Sequence, residues 1–398
     1  MKIVHIITRL IIGGAQENTL LLCQGQHQRG HEVTLITGPA LGPEGSLMDR
    51  ARSGGYRVIV VDEMRRAVLP IKDWLALRRL TALLQEIQPD IVHTHSSKAG
   101  ILGRRAARRA GLGAVVHTIH GLAFTASTHP LVNWLYESLE RRAAPLTSRI
   151  VCVADAMRDQ SLAAGIGAAE QYVTIYSGME TEPFVNPPVP RQQVRRDLGF
   201  SDEDIVIGTI ARLFDLKGHD DLLDVAGHLC RQFPTIRFLW VGDGTLRRRL
   251  VDRMHQMGLR KHFVLTGMVP PSRVPELTGA MDILVHPSRR EGLARALPQA
   301  ALAGIPSIAY DVDGNREAVI DGKTGLIIPP FDSGQLGHAI SMLVEKPALR
   351  QQMGQAGREF ALGRFDAAVM VEALERLYHE ILEARGHALD SCDRSASG

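Results

Sequence analysis

Residues 286–311 read HPSRREGLARALPQAALAGIPSIAYD. They follow a short apolar run, Asp282 to Val285, and divide into an exposed loop from Arg289 to Ala294, a helix starting at Pro298 and stopping at Gly304, and a second apolar run. Proline suits the first helical turn, where its missing N–H would have no partner, and glycine suits the residue just past the last turn. Strand, helix and strand in close succession form the repeating unit of a parallel α/β sheet. The helix start leaves N–H groups unpaired beside Glu291 at the carboxyl end of a strand, where open α/β sheets bind anionic ligands. Chemistry is expected there.

The same alternation runs outward in both directions. DIVIGTIAR (204–212), IRFLWVG (236–242), HFVLTG (262–267) and GLIIPP (325–330) are further strand candidates around the first stretch. In the N-terminal half KIVHIIT (2–8), HEVTLIT (31–37), YRVIVVD (56–62), DIVHTH (90–95), AVVHTIH (114–120), SRIVCVA (148–154) and YVTIYSG (172–178) read as strands. Gly13 and Gly14 open a helix that Gly30 closes, and an amphipathic helix spans about Ile71 to Gln88. Val- and Ile-rich runs separated by helices predict parallel, doubly wound sheets. FVNPPVPRQQ (184–193), with its prolines and no periodicity, reads as a linker between a domain at 1–183 and another at 194–364. Ala367 to Ala384 has helical spacing, and the small, polar residues 387–398 are expected to be disordered.

At 398 residues the chain is too long for one ordinary core, which agrees with two domains. Its 45% hydrophobic and 22% charged residues are those of a soluble globular protein. No apolar run reaches the length of a membrane span, and the first residues lack the cleavage pattern of a signal peptide, so a cytoplasmic location is expected. Cys23, Cys152, Cys230 and Cys392 are scattered, as suits reduced thiols rather than a disulfide or zinc framework. A net charge of only +3 gives no reason to expect a nucleic-acid partner. Basic residues do gather at Arg104, Arg105, Arg108 and Arg109 and at Arg141 and Arg142. A solvated helix face is the ordinary reading. With Trp134, Leu135 and Leu139 close by, peripheral contact with anionic lipid on the inner face of the membrane is the second.

Arg212 and Lys217 stand just past a strand, on the loop into the next helix, where two cations can clamp a diphosphate; in isolation they would read as surface charges. Gly13 and Gly14 occupy the first strand-to-helix turn, where glycine lets backbone N–H groups approach a phosphate. GGAQEN lacks the G-x-G-x-x-G spacing of a dinucleotide fingerprint, which argues against a nicotinamide enzyme. Asp243 lies in another strand-end turn, VGDG, equally compatible with structure alone. His93 and His95 share one face of a strand and read as packing partners. No zinc spacing of the HExxH or Cys/His type is present, and Asp311 with Asp313 is a weak candidate metal dyad. His120, followed by Gly121 at a strand end, is the histidine expected to act.

In order, GGAQ (13–16), HTHSSKAG (93–100), HTIHG (117–121), IARLFDLKG (210–218), VGDG (241–244) and HPSRREGL (286–293) resemble the retaining glycosyltransferases of family 4 over nearly the whole chain. The resemblance implies the GT-B fold, two Rossmann-like, doubly wound α/β domains facing a cleft, with a C-terminal helix at about 365–385 packing back on the first domain. It implies transfer of a hexose or N-acetylhexosamine, with retention, from a nucleotide sugar, usually a UDP sugar, to a glycan or polyprenyl-linked acceptor in cell-surface polysaccharide synthesis.

Carried over by position, Arg212 and Lys217 would neutralise the leaving diphosphate, with backbone contact from Gly13 and Gly14. His120 would lie by the donor sugar and phosphate, Glu291 would bond sugar hydroxyls near the reacting centre, and Gly292, Leu293 and Asp243 would join the donor site. Such enzymes need no metal or other cofactor, because fixed cations and helix N-termini stabilise the departing charge. One position departs from the pattern. The family's second Glu, after seven intervening residues, is Gln299 here, which keeps hydrogen-bonding capacity toward the ribose but brings no charge. Two other readings share the fold: a non-catalytic sugar-nucleotide binding module, and an epimerase or hydrolase acting on the sugar nucleotide alone.

Overall fold

The structure, a computed structural model, describes residues 1–42, 45–124 and 129–396, with side chains up to residue 386. Two compact units divide the chain: residues 1–179 together with the segment from Ala367 onward, and Glu180–Asp366. Each is described by itself.

The first unit is built on β1 (Lys2–Ile7), β2 (Glu32–Thr37), β3 (Arg57–Val60), β4 (Ile91–His95), β5 (Val115–Ile119), β6 (Arg149–Cys152) and β7 (Tyr172–Thr174). They lie in the order β3-β2-β1-β4-β5-β6-β7, all parallel. The second unit is built on β8 (Ile205–Ile210), β9 (Ile236–Val241), β10 (Phe263–Gly267), β11 (Ile283–His286), β12 (Ser307–Tyr310) and β13 (Gly325–Ile328). Their order is β10-β9-β8-β11-β12-β13, again all parallel. Each unit is a doubly wound, Rossmann-like α/β sheet, and every expected strand is present. The strands read as apolar runs because helices cover both faces: each residue of β4, β5, β11 and β12 is buried. The order reverses between β1 and β4 in one sheet and between β8 and β11 in the other, which fixes where a ligand crevice opens in each.

The C-terminal helix Ala367–Ala396 belongs to the first unit, where Met370, Val371, Leu374, Leu377, Tyr378 and Ile381 cover Ile3, Ile91, Val116 and Val151 of the sheet. Residues 387–396, expected to be disordered, continue this helix, because no proline or glycine past Gly386 interrupts it before Gly398.

The stretch 184–193 is not an extended linker. The chain passes into the second unit at Glu180 and forms the short helices Glu182–Val185 and Arg191–Asp197. The prolines that suggested a connector divide: Pro187 and Pro188 lie in the non-helical residues 186–190 between the two helices, and Pro190 immediately precedes the second helix. Arg191 and Arg195 then bind this segment to the second unit through Asp282, at 2.7 and 2.6 Å.

The helix expected to begin at Pro298 begins at Ala296 and runs to Leu302. Pro298 is still within its first turn, where no N–H is required, so the residue signals the turn and not its first position. Arg104, assigned to a solvated face, is fully buried; its guanidinium donates to Glu140 at 2.5 Å and to the Gly100 carbonyl at 2.9 Å. Arg108, Arg109 and Arg142 are exposed as expected.

Candidate functional site

In the second unit the loops that follow β8 and β11 are fastened to each other. Gly218 has a left-handed backbone (φ 68°), and a Cβ there would collide with the carbonyl oxygen of Pro287. Only glycine allows this approach. Beside it the Arg289 N–H and the Ser288 hydroxyl both donate to the Leu216 carbonyl, at 2.8 and 3.1 Å. The consequence is electrostatic. The Lys217 ammonium is brought onto Oε1 of Glu291, and His286 Nε2 reaches the same oxygen at 2.9 Å. From the other side the Glu291 N–H donates to Asp313 Oδ2 at 2.7 Å.

Burial alone would push the Glu291 carboxyl up, but the charge of Lys217 and the bond to His286 outweigh it and hold the group well below the usual carboxylate range. Glu291 is thus an anion that hydrogen-bonds and does not supply a proton at neutral pH. Such a carboxylate can accept from sugar hydroxyls, while Lys217 offers a cation to a phosphate.

Arg212 stands on the same loop, with its guanidinium 4.8 Å over the ring of Phe214. Asp243, past β9, accepts from the Gly244 N–H at 2.8 Å and lies 3.7 Å from the Arg247 guanidinium. Gly242 there has φ 139° and is pressed on the Ala211 carbonyl, so the VGDG turn supports the Arg212 loop. Gly292 accepts from the Gly314 N–H at 3.2 Å, Leu293 is buried, and Gln299 is half-buried on the helix Ala296–Leu302. These residues all lie at the carboxyl end of one sheet; Lys217 and Glu291 touch. Asp311 and Asp313 do not form a metal dyad, since Asp311 pairs with both arms of Arg316, at 2.6 and 2.7 Å, and Asp313 holds Glu291.

In the first unit, Gly13 precedes the helix Gly14–Gln28 after β1, and His120 follows β5. Gly13 is extended (φ 178°), a conformation open to any residue, and a Cβ there would meet the flexible tip of Gln16. The backbone does not require glycine at 13; the lack of a side chain leaves space in front of the helix. Ser96, past β4, holds φ 65°, which is rare for a residue with a Cβ and common at ligand sites. His120 joins Ser96, Ser97, Gly121, Leu122 and Phe124 around a small recess that is partly open to solvent.

Behind His120 lies a row of buried histidines on β1, β4 and β5. His93 and His95 do pack together, with ring centroids 4.2 Å apart. His5, which the sequence did not single out, bonds His95 at 3.0 Å and Gln26 at 2.7 Å, and His95 bonds His120 at 3.2 Å. His93 bonds Tyr378 at 2.5 Å and Thr118 at 2.7 Å. Burial, followed by the charges neighbouring histidines would carry, holds His93 and His95 far below the ordinary histidine value; burial lowers His5 to about 4 despite its bond to Gln26. The nitrogens of His5, His93 and His95 lie within 4.8 Å of one another, close enough for a metal ion. Both nitrogens of each ring are already spent on the bonds just named, so the trio fits a neutral hydrogen-bonded row better than a coordination sphere. His286, the last residue of β11, was also missed, and Asp313, considered only as a metal ligand, instead accepts from the Glu291 N–H; position near a strand's carboxyl end was the available signal for both.

The profile of the family Glycosyltransferase Family 4 matches residues 12–183, and that of Glycosyl transferases group 1 matches residues 190–360. EpsD of Bacillus subtilis (strain 168), named as a glycosyltransferase, is 30% identical over 84% of this chain and 89% of its own. This chain belongs to glycosyltransferase family 4. The glycosyltransferase is also 29% identical, over 96% of its length and 97% of the relative's, to the Escherichia coli UDP-Gal:alpha-D-GlcNAc-diphosphoundecaprenol alpha-1,3-galactosyltransferase. Its fold is that of Anabaena HepE, solved in complex with UDP and glucose (TM-score 0.82, 20% identity, 96% of this chain and 100% of that one). It is likewise that of the sucrose-phosphate synthase of Thermosynechococcus elongatus (TM-score 0.81, 19% identity, 96% and 100%). The glycosyltransferase therefore has the GT-B fold. Among its described residues no helix is long and apolar enough to cross a membrane.

Proposed function

We propose that this glycosyltransferase moves a hexose or N-acetylhexosamine from a UDP sugar to a polyprenyl-diphosphate-linked saccharide, with retention of anomeric configuration and without a metal ion. The observation that carries the reading is the contact of Lys217 and His286 with one oxygen of Glu291 at the β8/β11 switch point. A lysine and an anionic carboxylate held side by side suit a ligand that is phosphate at one end and polyhydroxylated at the other. Lys217 and Arg212 take the diphosphate, Glu291 accepts from sugar hydroxyls, and Gln299 hydrogen-bonds the ribose. Gly13 and Gly14 offer backbone N–H groups, and His120 contacts the donor sugar. As the glycosidic bond breaks, negative charge grows on the diphosphate and fixed cations stabilise it, so a bound metal is not needed. The leaving diphosphate accepts the acceptor's proton on the face that the acceptor hydroxyl attacks, which gives retention without a protein nucleophile. The E. coli relative named for a diphosphoundecaprenol substrate supports a lipid-linked acceptor.

A lipid-linked acceptor calls for peripheral membrane contact, and the first unit carries exposed apolar side chains suited to it. Val68 (73% exposed), Ile71 (77%) and Trp74 (50%) stand out at the start of the helix Pro70–Ile87, and Leu131 (72%), Trp134 (63%) and Leu135 (49%) along the helix Pro130–Ala143. Exposed Arg66, Lys72, Arg78 and Arg142 flank them. Apolar and basic side chains in this mixture suit anionic lipid.

The test is sugar transfer from a panel of radiolabelled UDP and GDP sugars to a polyprenyl-diphosphate-linked N-acetylhexosamine in anionic vesicles. Acceptor-dependent transfer with an α-linked product from an α-linked donor is expected. Turnover without acceptor would replace the reading with an epimerase or hydrolase, and binding without turnover would make the protein a sugar-nucleotide binding module.

A further inference from the structure

We infer that His286 is a positioning residue for the transfer: its Nε2–H holds Oε1 of Glu291 and keeps the carboxylate aimed at the donor sugar when Lys217 turns to the diphosphate. The inference rests on the proposed contact of Glu291 with the sugar hydroxyls.

Two groups hold Oε1 of Glu291, and they differ in how firmly each is fixed. Lys217 ends the short turn Asp215–Lys217 and reaches the oxygen on a flexible four-carbon stem, with its side chain 21% exposed. His286 is the last residue of β11, which lies between β8 and β12, and its side chain is only 4% exposed. Its backbone is in register with Ala309 of β12. The lysine is thus free to leave the carboxylate for a phosphate, while the buried ring stays where the strand puts it.

Hydrogen-bond chemistry gives that ring a single use. An ionised carboxylate only accepts, so Nε2 carries the hydrogen of the 2.9 Å bond. Nδ1 is buried and has no hydrogen-bond partner among the described residues. An apolar side chain would fill the same place without orphaning a nitrogen, so a histidine here costs stability that packing does not return. What the histidine adds is the bond to Glu291.

The other end of Glu291 is tied as well, since its N–H donates to Asp313 Oδ2 at 2.7 Å. With the backbone held there and Oε1 held by His286, Oε2, which no described residue bonds, is the oxygen offered to a sugar hydroxyl. Without His286 the carboxylate would follow the Lys217 ammonium toward the diphosphate, bringing two anions together. His286 separates the pair, leaving the cation for the phosphate and the anion for the sugar.

The experiment uses the full chain. His286→Leu removes the donor and the orphaned nitrogen together, His286→Gln restores an N–H at the reach of imidazole Nε2, and His286→Asn places its amide only as far as Nδ1. The expected result is a kcat lowered about 10- to 100-fold in His286→Leu and His286→Asn and largely recovered in His286→Gln. UDP, which has no sugar to meet Glu291, should bind all three variants with wild-type affinity by titration calorimetry. The thermal midpoint of His286→Leu should stay level or rise. A lower midpoint together with weaker UDP binding would reduce His286 to a packing residue, and an unchanged kcat would overturn its part in transfer. If His286→Leu does not fold, a kcat in His286→Gln no higher than in His286→Asn overturns the inference. If wild type neither binds UDP nor transfers sugar, the functional reading has failed, and crystal structures of Lys217→Met and His286→Leu still decide the positioning. The Glu291 carboxylate should keep its place in the first and turn away in the second; a carboxylate unmoved in His286→Leu overturns the inference.

Discussion

Two switch points of similar topology hold opposite chemistry. Where β8 meets β11, Lys217 and Glu291 remain charged because each neutralises the other, and both are partly open to solvent, at 21% and 13%. Where β1 meets β4, His5, His93 and His95 are sealed between the sheet and the helices that carry Gln26 and Tyr378, and they remain neutral because burial forbids the charge. The difference teaches what each sheet contributes. The second unit pairs its groups as opposite charges, and the first pairs its groups as hydrogen-bond donors and acceptors without charge.

The sharpest way to break this comparison is Glu291→Gln, which keeps shape and removes the anion. The acceptor-dependent kcat should drop by about 10² to 10³, the range for removing one preorganised group from a reacting centre, with the thermal midpoint close to wild type. Undiminished turnover would strip Glu291 of its role.

Next in size is Arg104→Met in the first unit. Arg104 and Glu140 are also a lysine-like and carboxylate pair, but the guanidinium is wholly buried, so leaving Glu140 alone should cost about 3 kcal/mol of unfolding free energy in urea titration. Donor affinity of the folded fraction should not move, and Arg104→Met with Glu140→Leu should recover most of the loss. Lys217→Ala should do the reverse, weakening donor binding about tenfold by titration calorimetry while leaving urea stability within about 1 kcal/mol. A stability loss without a binding loss at Lys217 would reduce that pair to a structural one.

Acid should separate the units further. His5, His93, His95 and His117 are all held below the usual histidine value, chiefly by burial, so the unfolded chain takes up protons that the folded unit refuses. Their contribution is complete above the unfolded value of 6.5 and is lost as pH falls from there toward about 4, where His5 is protonated in place. The slope is about 1.4 kcal/mol per pH unit for each such histidine. In the second unit His219 alone is lowered in this way, to about 3, and Glu291 loses its contribution only below the ordinary carboxylate value of 4.5. With Trp74 and Trp134 changed to Phe, Trp240 fluorescence reports the second unit. Between pH 6.5 and pH 4.5 its urea midpoint should fall less than that of the whole chain by circular dichroism; equal shifts would contradict the assignment.

The smallest expected effect is none. EDTA should leave transfer unchanged, and inhibition reversed by zinc would return His5, His93 and His95 to consideration as ligands.

Alternating Val and Ile runs with Gly and Pro punctuation made the strands, their parallel arrangement and the Lys217 and Glu291 loops legible, because hydrophobic period and turn chemistry are local properties. The same locality misled at 184–193, where short helices flank the non-helical residues 186–190, and at Arg104, whose burial depends on a carboxylate from another helix. His5 and His93 sit two strands of sequence apart yet are direct partners across β1 and β4.

By itself the amino-acid sequence determined which segments become strands and helices and which short motifs stand at strand ends, since each depends on neighbours within a few residues. Only the tertiary structure decided that Lys217 lies on Glu291 with His286 behind it, and that Gln26 and Tyr378 close over the histidines. Contacts between distant segments are selected by the packing of the whole unit, and a charge or tautomer takes its state from whatever that packing puts beside it.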